Sequence, residues 1–219
     1  ASELVEFICT KLFKEVVGKG WTEANQIISA AGNVKYIFEK KDECENVVRN
    51  FPRKVMTEAP GITISQAVVE LKEDFTQSIN ELEKKLRSQR NKPCKSITTG
   101  RLGVQRSSQT GLPITELNKE KRYDASTYAK RKHNDLISLC KKSFGSQVVL
   151  DKISIPFDVE KITGKNDWIA IIHADGNGLG QVVQKIGHHI DDFKRFSKEL
   201  NRATIAAAND SFQKVSPEN

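Results

Sequence analysis

The sequence predicts a mixed chain of the α/β (α+β) class, and three stretches predict it. Leu4, Phe7, Ile8, Leu12 and Val16 recur at helical spacing. The run NQIISAAGNVKYIFEK reads as two strands folded about Gly32-Asn33, a residue pair suited to a hairpin turn. Residues 168–180, WIAIIHADGNGLG, form a near-continuous apolar run that ends in an acid and then gives three of five positions to glycine.

Taken in order, the first helix spans residues 3–17 and the hairpin follows it. Asp42 with Glu45 resembles a capping box and starts a helix through about Thr57. Ala59-Pro60-Gly61 stops that helix, and ITISQAVVEL, rich in β-branched residues, is the next strand. A long helix then carries Phe75, Ile79, Leu82 and Leu86 on one stripe, giving the order α-β-β-α-β-α. Residues 91–122 have turn formers, hydroxyls and bases but little periodicity, which reads as a long loop or a small subdomain. Helix returns at residues 123–144 and carries Lys130-Arg131-Lys132, and QVVLDKISIPFD holds a candidate strand. After Gly164 come the apolar strand, a helix near residues 179–185 and another over residues 191–212.

Composition narrows the class of function. Of 219 residues, 37% are hydrophobic and 29% charged, as in a globular domain with a core of its own. No apolar run approaches the roughly 20 residues a membrane-spanning helix needs, so no membrane partner is expected. Cys9, Cys44, Cys94 and Cys140 are scattered without a C-x-x-C pair, which gives the expectation of a reduced, cytoplasmic protein. A net charge of +7 favours an acidic partner such as RNA, DNA or a nucleotide, although a solvated basic surface accounts for it equally well.

The acid in residues 168–180 needs its own explanation. A dinucleotide-binding turn is G-x-G-x-x-G, whereas Gly176, Gly178 and Gly180 fall one residue too tight. A calcium loop counted from Asp175 has Leu179 and Ile186 where its fifth and twelfth ligands belong. An acid at the C-terminal end of a buried strand does lie where open α/β sheets bind ligands. Glycines after it admit phosphate oxygens to main-chain N–H groups, and the helix beginning near Leu179 adds its positive end. Mg²⁺ on Asp175 would offset the repulsion between carboxylate and phosphate. The competing reading is a strand-to-helix turn in which Asp175 caps the helix and the glycines supply the bend.

In its order of motifs the chain resembles a known family. IAIIHADGNGLGQVV, followed by FSKELNRATIAAA, is similar to the start of the second palm of the large, polymerase- and cyclase-like subunit of type III CRISPR effector complexes. AAGNVKYIFE, the helix after it and APGITISQAVVEL resemble that family's first palm, with PCKSITTGRLGVQRSSQTGLPITE in the place of its inter-palm insert. The resemblance implies two ferredoxin-like palm modules, both truncated, joined by a loop-rich insert and helices. The expected organisation is a degenerate first palm over residues 1–90, the insert over 91–122, a helical connector over 123–164 and the start of a second palm over 165–219. The AAGNV turn carries no carboxylate, so the first palm is expected to be structural. The pattern also leads one to expect a strand before Ala1 and a catalytic hairpin after Asn219, and hence a piece that is inactive alone. Asn177 stands where the family often has a second acid, and the insert keeps Cys94 alone where many relatives place a zinc knuckle.

The resemblance implies a nucleotidyltransferase that makes cyclic oligoadenylate-type messengers from ATP with Mg²⁺ or Mn²⁺ in antiviral defence. Asp175 would be the catalytic metal ligand, joined by the carbonyl of Gly176. Asn177, Gly178 and Gly180 would admit the triphosphate, with Ser197 and Asn201 placed for base or ribose. The alternative is an inactive palm scaffold in an RNA-guided complex, in which Arg101, Arg106, Lys130, Arg131 and Lys132 meet the RNA backbone. Guide or target RNA and other effector-complex subunits are the implied partners. For these bases, and for Ser197 and Asn201, a solvated polar surface is the plainer reading.

Overall fold

A computed structural model describes residues 2–30, 32–92, 103–118, 121–133 and 189–215, together with 163, 168–169, 178, 181–182 and 185. It is a mixed α+β chain with, among the described residues, two small two-stranded antiparallel sheets and no four-stranded palm sheet. The chain divides into two units, Ala1–Asn134 with His188–Lys194, and Asp135–Gly187 with Arg195–Asn219.

The first unit opens on helix α1, which runs as Ser2–Phe7, a π-helical turn at Ile8–Leu12, and Phe13–Val17. The helix stands where the periodicity puts it. The π turn is an addition that side-chain spacing does not encode. Strands β1 (Gln26–Ala30) and β2 (Asn33–Tyr36) form the expected hairpin. Its turn lies one residue earlier than expected, because Ala30 faces Asn33 and Asn33 already belongs to β2. Ser29 Oγ donates to the Cys9 carbonyl at 3.1 Å, fastening the hairpin to the π turn.

Helix α2 (Lys41–Glu58) starts at Lys40, which makes no side-chain cap, so Asp42 sits inside the first turn rather than capping it. There its carboxylate still favours the positive end of the helix. Pro52 lies within α2 and has no N–H for the carbonyl four residues back. That carbonyl, on Val48, instead accepts from Gln66 Nε2 at 2.7 Å. Helix α3 (Phe75–Arg90) begins on Asp74, whose carboxylate accepts from the Gln77 N–H at 3.2 Å, and it buries Phe75 and Ser78.

The expected strand at residues 62–71 is corrected. Burial alternates along it, with Ile62, Ile64 and Gln66 half-buried and Thr63 and Ser65 exposed, as in a strand. Yet it joins no ladder. β-branched residues favour an extended backbone, but a sheet also needs a second edge, and none of the described strands lies against this one.

Residues 91–122, expected as a long loop or a small subdomain, are not loop throughout: among the described residues they hold β3 (Ile114–Asn118), which pairs with β4 (Lys121–Asp124), and a bridge from Arg106 to Pro113. Tyr123 therefore lies in a strand, and helix α4 (Ala125–Lys132) begins two residues later than expected. The core of this unit is Leu4, Ile8 and Leu12 of α1, Val55 of α2, Ala59, and Ala129 of α4. Phe7, Phe51, Ile62 and Ile64 pack against it. Gly61 admits α4: its φ is +87°, and a Cβ placed there would lie 2.8 Å from the Ser126 Cβ.

Helix α5 (Ile190–Val215) is the last element, as the periodicity implies, extended at both ends. Its Phe193 is buried and meets Phe75 edge to face at 6.3 Å within the first unit. In the second unit Trp168 and Ile169 are exposed, so the apolar run does not begin as a buried strand. Residues 170–177 and the candidate strand in QVVLDKISIPFD lie outside the described residues. Among the described residues no helix is long and apolar enough to cross a membrane.

Candidate functional site

Gly178 is the described residue of the glycine loop. It has φ +79°, and its carbonyl accepts from the N–H groups of Gln181 at 3.0 Å and Val182 at 3.2 Å. Gln181 and Val182 are helical, so the glycine makes the turn that delivers the chain into a helix. A Cβ built on Gly178 meets nothing within 4 Å, which leaves open space beside the turn. A glycine-led helix start with room beside it has the local chemistry of an anion cradle, and it would serve equally well as a plain bend.

Asp175, Gly176, Asn177 and Gly180 lie outside the described residues, as does Arg101. Ser197 and Asn201 both stand on α5, four residues apart and therefore on one face, with Ser197 half-buried and Asn201 exposed. Among the described residues no three His, Cys, Asp or Glu side chains come together as a metal site would need. Both described cysteines are free. Burial pushes the Cys9 thiol up, and burial followed by the Glu45 charge does the same for Cys44, so neither is poised as a thiolate nucleophile.

The basic candidates divide. Arg106 donates to the Gly111 carbonyl at 2.9 Å and so helps fix its own loop. Lys130, Arg131 and Lys132 are exposed in the last turn of α4, where cations complement the helix end. Arg131 lies 5.0 Å from the centre of the Tyr123 ring.

The sequence reading missed Asp124. This carboxylate is 1% exposed and caps α4. It accepts from the Thr127 N–H at 3.0 Å, the Thr127 hydroxyl at 2.7 Å and the Thr110 hydroxyl at 3.0 Å. Burial raises its pKa, but these donors outweigh burial and hold the group below the usual carboxylate value. The signal was present as an Asp three residues before a Thr at a helix start.

A carboxylate held low in the folded state stabilises the fold above its unfolded pKa of about 3.9 and loses that contribution as pH falls through the folded value. Asp124→Ala is expected to cost about 2 kcal/mol at neutral pH, from the lost cap and the stranded Thr donors. The gap from wild type should narrow in acid. Urea denaturation of both proteins at neutral pH and near pH 3 checks this.

No protein-family model, no curated protein and no solved structure matches the chain.

Proposed function

We propose that this chain belongs to a metal-dependent nucleotidyltransferase of palm type that makes cyclic oligoadenylate-type products from ATP in antiviral defence. The observation that carries the reading is the turn at Gly178: a positive-φ glycine with open space beside it, directly ahead of helical residues and three residues after an acid. The succession of helix, β1–β2 hairpin, helix, strand-like segment and helix in the first unit supports the palm architecture. On this reading Asp175 and the Gly176 carbonyl would hold Mg²⁺ or Mn²⁺, which neutralises charge developing on the phosphates. The main chain from Asn177 to Gly180 admits the triphosphate, and Ser197 and Asn201 offer hydrogen bonds to base or ribose. The turn between Ala30 and Asn33 in the hairpin of the first unit carries no carboxylate, so it takes no part in holding metal.

A second reading, an RNA-binding scaffold without catalysis, is favoured by the three consecutive exposed bases that end α4. One experiment separates the two. Equilibrium dialysis of ATP against the 219-residue chain is expected to show binding that requires Mn²⁺ and is lost in Asp175→Asn. Failure to bind ATP in the presence of metal, together with salt-sensitive binding of single-stranded RNA, would overturn the enzyme reading in favour of the scaffold.

A further inference from the structure

Helix α5 serves both units. Its start, residues 190–194, belongs to the first unit, whereas Gly178, Ser197 and Asn201 all belong to the second. From Ile190 to Val215 it holds no glycine or proline, so its sequence provides no kink. Whatever fixes the start of α5 therefore also fixes where Ser197 and Asn201 stand.

Phe193 fixes that start. It is 7% exposed, and its ring meets Phe75 edge to face. Beside it, Lys194 Nζ donates to the Ala24 carbonyl. Phe75 is in turn held by a constrained first turn of α3. Asp74 caps that turn, the Lys72 N–H donates to the Ser78 hydroxyl at 2.9 Å, and the same hydroxyl donates to the Asp74 carbonyl at 3.2 Å. A buried ring packed on such a turn sets both the rotation and the axial position of the helix that carries it.

Ser197 and Asn201 follow Phe193 by four and eight residues. That places them about 6 and 12 Å along the axis and within roughly 80° of the same face. Their side chains are also uncommitted. Thr204 and Ser211 of α5 donate to the carbonyls four residues back, at 2.8 Å each. The Ser197 hydroxyl makes no such bond, and neither it nor the Asn201 amide has a partner among the described residues.

We propose that Phe193 is the positioning residue for these two groups: packed on Phe75, it sets the rotation of α5 that presents Ser197 and Asn201 to the base or ribose of a bound nucleotide. The inference rests on the nucleotide reading above. It divides the labour, with the glycine loop holding the triphosphate and the first unit governing, through α5, how the nucleoside is held. Such positioning is demanding, since a misplacement of about 1 Å can cost on the order of 10²-fold in rate.

Equilibrium dialysis of the 219-residue chain with Mn²⁺ tests this by comparing ATP with inorganic triphosphate, which has no nucleoside for α5 to hold. Phe75→Leu removes the supporting ring from the first unit. It is expected to weaken ATP by about fivefold or more, the size of a lost hydrogen bond, and to leave triphosphate within about twofold. Lys194→Met keeps the side-chain stem, removes an exposed donor without touching the core, and should move ATP in the same direction. In a background of Ser197→Ala with Asn201→Ala, Phe75→Leu should add little, because the contacts it positions are already gone. Equal weakening of ATP and triphosphate would mean that the ring only supports the fold, and overturns the proposal. Unchanged ATP affinity in Phe75→Leu and Lys194→Met overturns it too, as do losses that simply multiply with those of the double background. A wild-type chain that binds neither ligand removes the nucleotide reading itself, and the proposal with it.

Discussion

Gly61→Ala is expected to destabilise the first unit by about 3 kcal/mol or more. Two costs combine. An alanine at φ +87° sits in the left-handed region, which costs a side chain roughly 1–2 kcal/mol. Its Cβ would also lie 2.8 Å from the Ser126 Cβ, with Ser126 buried on α4, and overpacking of this kind typically costs about 1–3 kcal/mol. The sum is a large part of the roughly 5–15 kcal/mol that holds a domain together. Urea denaturation of Gly61→Ala, Ser126→Gly and the double variant separates the terms. Ser126→Gly should recover the steric part in the Gly61→Ala background and leave the backbone part. Strictly additive single-variant losses would mean that Gly61 is only a turn and does not set the approach of α4.

Asp175→Asn is expected to lower turnover roughly 10²-fold or more in the longest form of the protein that turns over ATP. Asparagine keeps the volume and can still cap a helix, so a purely structural Asp175 would survive the change with a loss of about 1 kcal/mol or less. A metal ligand would not, since removing its charge weakens the cation directly and leaves the triphosphate poorly neutralised. Turnover at saturating ATP, followed through a Mn²⁺ titration alongside thermal melting, distinguishes the two. Unchanged turnover refutes the metal role. A collapse in melting temperature without metal returns Asp175 to the fold.

What the sequence made legible follows from how local each signal is. Helix α1, the β1–β2 hairpin, α3 and α5 were all readable, because Leu4, Ile8 and Leu12, or Phe75, Ile79 and Leu82, declare an apolar face within a few turns. The β3–β4 hairpin was not. Its strands ITELN and KRYD carry more charged side chains than apolar ones, Leu117 is 74% exposed, and Asn118 pairs with Lys121 across Lys119-Glu120, a pair without glycine. Residues 62–71 were legible as extended but not as unpaired, because a ladder depends on a partner that no local pattern records. At the candidate site, Gly178 and the shared face of Ser197 and Asn201 were legible from spacing. Asp124 is hidden in the sequence because the helical pattern runs back over Tyr123 and leaves its cap inside the expected helix.

The Pro52–Val48–Gln66 arrangement has a consequence for how related chains can diverge. With proline at 52, the Val48 carbonyl depends on a donor from another segment, and Gln66 provides it. A lineage that exchanges Pro52 for any residue with an N–H restores the helix's own bond and releases position 66 from that duty. The reverse order is closed, because losing the amide at 66 first strands a half-buried carbonyl. Substitution at these two positions should therefore be directional, with 52 changing before 66. Chains that retain proline at 52 should keep a long side-chain donor fourteen residues further on.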